Sequence, residues 1–361
     1  MKENNNKYIA QLDGLRFFAV LMVMMGHWLQ WQWTNPFMKA FPFVHGVTLF
    51  FVLSGFLITR ILLTNRDEAL ITNGSRKSLL KNFYIRRFLR IFPIYYLLIV
   101  FLFCIDFQDT RVLSRWLFSY SINIYQSIHN VYVGDFSHFW SLAVEEQFYL
   151  FWPFLILFIS TKNIFKSIII TIVLSLLFKS CFHFFVGKWM ATSYFTLNCM
   201  SSLGLGALLS YVTLYNKKVS AVISKPWVLY GVLGVYLVLF IAQYYLKIYW
   251  YGMVGEEFMF AILSVFIVLR ASTNGFKWGI KMILENTFVL YSGKISYGLY
   301  VYHGFIPFLY YFIAPRIGLS IDSKYTTFVA FYLLTFIVAS ISWTLIEKPI
   351  SRLKSRVPYL K

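Results

Sequence analysis

Ten apolar runs of 18 to 25 residues dominate this chain, at about 12–31, 44–64, 89–106, 143–160, 167–186, 194–214, 227–246, 253–270, 288–312 and 325–346. A helix of that length crosses the roughly 30 Å hydrocarbon core of a bilayer. Ten such runs in 361 residues leave too little polar chain to cover them in water. The expected fold is an all-α polytopic membrane protein with about ten transmembrane helices, forming one membrane-embedded domain over residues 1–361. Composition agrees, with 59% hydrophobic and 13% charged residues and a mean hydropathy of +0.65. The 39 Phe and 26 Tyr suit lipid-facing and interfacial positions.

The net charge of +19 is spread over the connections and not gathered in one patch, so no nucleic acid is expected as a partner. It reads instead as topology. With the N-terminus inside, 23 of the 33 basic residues fall on cytoplasmic segments, seven on outer segments, and Arg16, Lys179 and Lys294 within spans. That bias predicts both termini in the cytoplasm. No small-residue cleavage site follows the first run, so no removable signal is expected. Cys104, Cys181 and Cys199 lack metal or redox spacing and are expected to pack as free thiols. The inner connection at about 65–88 is strongly basic, and the outer one at about 107–142 holds the semi-apolar piece SRWLFSYSINIY, a candidate interfacial or re-entrant helix.

The first run, LDGLRFFAVLMVMMGHWLQ, carries Asp13, Arg16 and His27. Arg16 and His27 are eleven residues apart, about three helical turns, which places them on one face about 16 Å apart along the axis. Ionisable groups within a span are costly and mark a pathway or a site. A lone intramembrane histidine can be a packing residue bonded to a carbonyl. With Asp13 and Arg16 on the same helix, His27 is the candidate general base. Asp13 and Arg16, at i and i+3, can pair and lower the cost of burying the guanidinium.

Further stretches carry polar groups. FYIRRFLRIFPIYY places Arg86, Arg87 and Arg90 before the third span, either as topological anchors or as a forked set of donors for phosphate. HFWSLAVEEQFYLFWP places Glu145 and Glu146 at the outer start of the fourth span, and adjacent helical residues point about 100° apart, so at most one of the two should face a given site. SGKISYGLYVYHGFIP puts Lys294, Ser296, Tyr297 and His303 in the ninth span, a polar stripe that suits the interior. Nothing in FFVLSGFLITR demands chemistry of Ser54, and Glu347, Lys348 and Pro349 read as a terminator of the last span. Glu256 and Glu257 stay open between surface acids and acceptor contacts. No zinc signature, phosphate loop, dinucleotide fingerprint or GxSxG elbow is present, so neither a metal nor a tightly bound cofactor is expected.

Together LDGLRFFAVLMVMMGH, FFVLSGFLITR, FYIRRFLRIFPIYY, HFWSLAVEEQFYLFWP, ISYGLYVYH and LIEKPI resemble, in order and from about residue 10 to 350, the acyltransferase-3 family of membrane acyltransferases. The resemblance implies transfer of an acyl group, usually acetyl, from cytoplasmic acyl-coenzyme A to a hydroxyl of an outward-facing glycan. By position the family's first-helix arginine and histidine fall on Arg16 and His27, its RxxR element on Arg87 and Arg90, and its WSLxxE element on Trp140, Ser141, Leu142 and Glu145. Many relatives also carry an SGNH esterase-like domain, and this sequence shows none before Lys361.

These readings combine into one expectation. Arg16, Arg86, Arg87 and Arg90 bind the donor, His27 and Glu145 are catalytic, and Asp13, Trp140, Ser141, Glu146, Ser296, Tyr297 and His303 line the acceptor region. The donor is expected to be acetyl-CoA and the partners a carbohydrate acceptor and the bilayer of the bacterial inner membrane. Lipopolysaccharide O-antigen is the first expectation for the glycan, ahead of exopolysaccharide, peptidoglycan or a small glycoside. The alternative class is a transporter or flippase of a lipid-linked sugar that uses the same charges as a relay, although no matching pair of interrupted spans suggests inverted repeats. A structural or signalling role leaves the Arg16–His27 face unexplained.

Overall fold

The computed structural model describes residues 8–30, 41–247, 251–318 and 323–359, which are predominantly helical, with no strand among them. Of the basic residues counted above, Lys2, Lys7, Lys39 and Lys361 lie outside the described residues.

Helix α1 spans Ala10–Trp28. A short 3-10 turn leads into α2, Gly46–Thr72, and α3 follows at Arg76–Cys104. Two short helices, α4 at Thr110–Phe118 and α5 at Ile122–His129, form the connection to α6, Phe139–Phe158. Next come α7 at Ile164–Cys181, α8 at Trp189–Tyr194 and α9 at Thr196–Tyr215. The short α10, Lys217–Ile223, precedes α11, Pro226–Leu246, and α12, Glu256–Ser272. After α13 at Trp278–Leu284 the chain breaks into α14, Thr287–Lys294, α15, Ser296–Tyr302, and α16, Ile306–Ile313. It ends in α17, Lys324–Ser342, a π-helical turn at Trp343–Glu347, and α18, Lys348–Arg352.

Among the described residues, seven helical stretches are long and apolar enough to cross a membrane. The other three expected spans are helical but differ in kind. The first is α1, whose apolar character is diluted by Gln11, Asp13 and Arg16. The eighth is α12 with a π-helical turn, Tyr251–Gly255, in front of it. The ninth is not one helix but three.

The basic inner connection is another correction. Its residues continue the two flanking helices, and the turn is only Asn73 to Ser75. Asn73 takes the left-handed conformation (φ 53°) that ends α2, and the Ser75 hydroxyl accepts from the Ser78 N–H at 3.3 Å to cap α3. Arg66, counted above as a cytoplasmic anchor, is 1% exposed. It donates to the carbonyls of Ile156 at 2.5 Å and Ile159 at 2.7 Å and to the Thr161 hydroxyl at 3.1 Å. A guanidinium thus satisfies the open carbonyl end of α6. Glu347 also does not terminate the chain's helical course. The π-helical turn carries it inward, where it is 9% exposed, and α18 follows directly.

The frame of the bundle is the contact between α2 and α9, the most extensive between any two elements. It depends on small residues. A Cβ on Gly55 would stand 1.9 Å from the Leu203 carbonyl oxygen, and one on Gly206 2.1 Å from that of Val52. Backbones can come this close only where glycine sits, and small residues are the usual way membrane helices gain contact area. Helix α1 lies against α2 and the broken segment α14–α15, while α6 packs on α2 and α3. The charged residues of α1, α3 and α6 are thereby turned towards one another.

Candidate functional site

Two cavities open within this ring of helices. The first, of about 180 Å³, is walled by Arg16 of α1, Ser54 of α2, Arg87 and Arg90 of α3, Ser141, Glu145, Glu146 and Tyr149 of α6, and Ser296, Tyr297 and Tyr300 of α15. Arg87 and Arg90, three apart, share the inward face of α3. Among the described residues neither has a carboxylate within ion-pair distance, and the Arg87 Nε has no hydrogen-bond partner. Arg87 lies over the rings of Phe83 at 5.5 Å and Tyr149 at 5.7 Å. Arg16 is ion-paired with Asp13, as their spacing suggested, and Asp13 does not line the cavity. Two guanidinium groups with no carboxylate in ion-pair contact suit phosphate or another multivalent anion.

Arg86 is a correction. It points about 100° away from Arg87, donates to the carbonyls of Lys354 at 2.7 Å and Val357 at 2.8 Å, and lies 4.5 Å over the Tyr359 ring. It fastens the C-terminal segment and is not part of the cavity.

The two glutamates bring further corrections. Helix α6 begins before the expected fourth span, so Glu145 and Glu146 sit inside the bundle beside the arginines and not at its far end. Both line the cavity, because α6 exposes a wide strip running through residues 141, 142, 145, 146 and 149. Glu145 Oε1 accepts from the Ser54 hydroxyl at 2.7 Å, and its Oε2 accepts from the Tyr149 hydroxyl at 3.1 Å. Ser54, which nothing in its own stretch distinguished, is therefore part of the polar network. Ser141 and Tyr300 join their hydroxyls, and Tyr297 donates to the Ile91 carbonyl at 2.8 Å.

The second cavity is larger, about 870 Å³, and is walled by His27 and Trp28 of α1, by His45, Asp135, His138 and Trp140, by Trp189 and Tyr194 of α8, and by Glu256 and Glu257 of α12. Glu256 lies 3.4 Å from His45, and Glu257 pairs with the buried Lys179. Trp140 is stacked on Tyr194, ring centroids 4.2 Å apart. Flat aromatic faces beside carboxylate and imidazole acceptors suit a hydroxyl-rich ligand.

His27 is exposed to this second cavity. Its Nδ1 is 2.8 Å from Nε2 of the fully buried His303. His303 in turn places Nδ1 2.6 Å from the Tyr300 carbonyl. A third imidazole, that of His138, lies edge-on to His303 with centroids 4.6 Å apart, its Nε2 3.2 Å from the Val301 carbonyl. His138 was not among the sequence candidates. Gly304 makes its placement possible, since a Cβ there would stand 2.5 Å from the His138 ring. Glu145 does not orient His27, because it faces the other cavity and has other partners.

Val47 and Phe51 of α2 line both cavities. They are 8% and 2% exposed, and Phe51 meets Trp140 edge to face at 5.9 Å. These two side chains form an apolar septum between the arginine side and the histidine side. The arrangement sets guanidinium groups on one side of a thin partition and aromatic, carboxylate and imidazole groups on the other.

Comparison with known proteins points the same way. The acyltransferase-3 family, described as an acyltransferase domain, matches residues 9–347. The peptidoglycan O-acetyltransferase OatA of Listeria monocytogenes is 30% identical over 382 residues, covering 96% of this chain and 56% of that protein. The O-acetyltransferase OatA of Staphylococcus aureus is 26% identical over 373 residues, covering 96% and 58%. The chain thus spans somewhat more than half the length of these relatives. No solved structure matches.

Proposed function

The chain belongs to the acyltransferase-3 family, and from that premise we propose that it is a membrane O-acyltransferase that moves an acetyl group from acetyl-CoA to a hydroxyl of an envelope glycan. The observation that carries the reading is the pairing of two unlike cavities across one septum. Arg87 and Arg90, with Arg16 beside them, receive the phosphates of coenzyme A on the arginine side. The thioester reaches the septum at Val47 and Phe51, and the sugar lies among the aromatic rings on the histidine side.

The imidazole of His27 takes the proton of the acceptor hydroxyl. The oxygen bonds to the thioester carbonyl carbon, the carbon–sulfur bond breaks, and the departing thiolate recovers the proton from the imidazolium. Fixing both substrates against a rigid helix frame supplies much of the rate. Glu145, held by Ser54 and Tyr149, adjusts the charge around the donor.

The reading places ten spans in the bacterial cytoplasmic membrane with both termini inside, so that the arginine cavity faces the coenzyme A pool. The Listeria relative is named for peptidoglycan, which moves peptidoglycan ahead of the O-antigen among candidate acceptors. The aromatic and carboxylate lining fits either glycan.

The test is coenzyme A release from acetyl-CoA by the purified protein in lipid, with cell-envelope fractions as acceptor, for wild type beside His27→Ala. Acceptor-dependent release that disappears in the variant supports the reading. Two cavities on opposite sides of a septum also suit a carrier of a lipid-linked sugar. No release with any fraction, together with no stabilisation by coenzyme A, favours that carrier.

A further inference from the structure

We propose that His303 is a positioning residue that fixes the tautomer of His27, leaving the proton on Nδ1 and the lone pair on Nε2. The inference rests on reading His27 as the base and adds which nitrogen acts and what selects it. A carbonyl oxygen only accepts, so the 2.6 Å contact with the Tyr300 carbonyl places the ring proton of His303 on Nδ1. The neutral ring then has a bare Nε2. That atom lies 2.8 Å from Nδ1 of His27, so His27 donates there. Its remaining nitrogen, Nε2, holds a lone pair, and His27 is the member of the pair exposed to the histidine-side cavity.

The selecting carbonyl is available because of a helix break. Helix α15 ends at Tyr302, so the carbonyls of its last turn lack the amide that a continuing helix would provide. His303 takes that of Tyr300, and His138 takes that of Val301. With Nε2 of His138 occupied in this way, its ring packs edge-on to His303 and leaves the His303 Nε2 to His27. The orientation of one base is thereby traced through the His303 imidazole to a single backbone oxygen, that of Tyr300.

The test has a spectroscopic arm and a kinetic arm. Protein labelled with ¹⁵N-histidine is studied in lipid by solid-state NMR, the His27 signals being identified by their loss in His27→Ala. Wild-type His27 is expected to carry its proton on Nδ1. Two variants then separate positioning from packing. In His303→Gln the side-chain oxygen reaches the place of Nε2, so the acceptor is kept. In His303→Asn only the Nδ1 place is filled, and His27 loses its acceptor.

His303→Gln is expected to keep the tautomer and to transfer within about 3-fold of wild type, whereas His303→Asn is expected to lower kcat at least about 10-fold with KM for acetyl-CoA unchanged. A resting His27 protonated on Nε2, or a folded His303→Asn variant with wild-type kcat, overturns the proposal. If the wild-type protein releases no coenzyme A, the acyltransferase reading fails by itself, and the NMR arm still decides the tautomer.

Discussion

Ser54 on α2 and Glu145 on α6, 91 residues apart in the chain, meet at 2.7 Å across the arginine-side cavity. Tyr149 completes the arrangement, bonding both the carboxylate at 3.1 Å and the Ser54 hydroxyl at 3.0 Å. Ser54→Ala removes one donor and leaves the other. A hydrogen bond to a charged group contributes about 1.5–3 kcal/mol, so kcat is expected to fall about 10- to 150-fold. Glu145→Gln keeps the volume and removes the charge, and a fall of about 100-fold is expected. Acceptor-dependent coenzyme A release in lipid checks both, and wild-type turnover in Glu145→Gln would remove the carboxylate from the chemistry.

Arg86, Arg87 and Arg90 of α3 should separate by function. Replacing Arg87 or Arg90 by Gln takes a charge from the cavity and is expected to weaken coenzyme A binding by about 10-fold each. Arg86→Gln takes its contacts from the C-terminal segment, so it should lower the melting temperature and leave affinity unchanged. Calorimetric titration with coenzyme A, beside thermal unfolding in detergent, distinguishes these outcomes. Equal loss of affinity in all three variants would return Arg86 to the donor site.

Phe51→Ala thins the septum shared by the two cavities. Water from the histidine side should then reach the thioester, and acetyl-CoA hydrolysis without acceptor is expected to rise several-fold while transfer falls. Coenzyme A release measured with and without envelope acceptor reads the two separately. Unchanged hydrolysis would mean that Phe51 does not seal the partition.

Gly55→Ala and Gly206→Ala each force a carbon into a backbone carbonyl of the neighbouring helix. Each is expected to destabilise the bundle by more than about 2 kcal/mol, since neither α2 nor α9 can yield without breaking the contact that frames the fold. The melting temperature in detergent is the measurement, and a shift within error would show that these helices separate more easily than their geometry implies.

Much of this was legible in the sequence because it is local. Periodicity marked the apolar runs, and spacing alone predicted that Asp13 pairs with Arg16. What escaped depends on residues far apart in the chain. Nothing near Ser54 indicates that it faces Glu145, and nothing near His138 indicates that His303 lies against it. Arg86 and Arg87 are neighbours of one type, and only the position of the C-terminal segment separates their roles. The break in the ninth span did have a signal, since Gly304 and Pro307 in HGFIP are residues that interrupt helices. Strong apolarity around them hid it.

That break has a consequence for attempts to make the protein sturdier. A continuous helix through 296–313 would supply amides to the carbonyls of Tyr300 and Val301 and would be favoured by any search for higher melting temperature. The same change would take from His303 and His138 the oxygens that hold their rings. Selection for robustness alone should therefore drift towards well-folded, inactive variants at this segment, a local opposition between endurance and turnover.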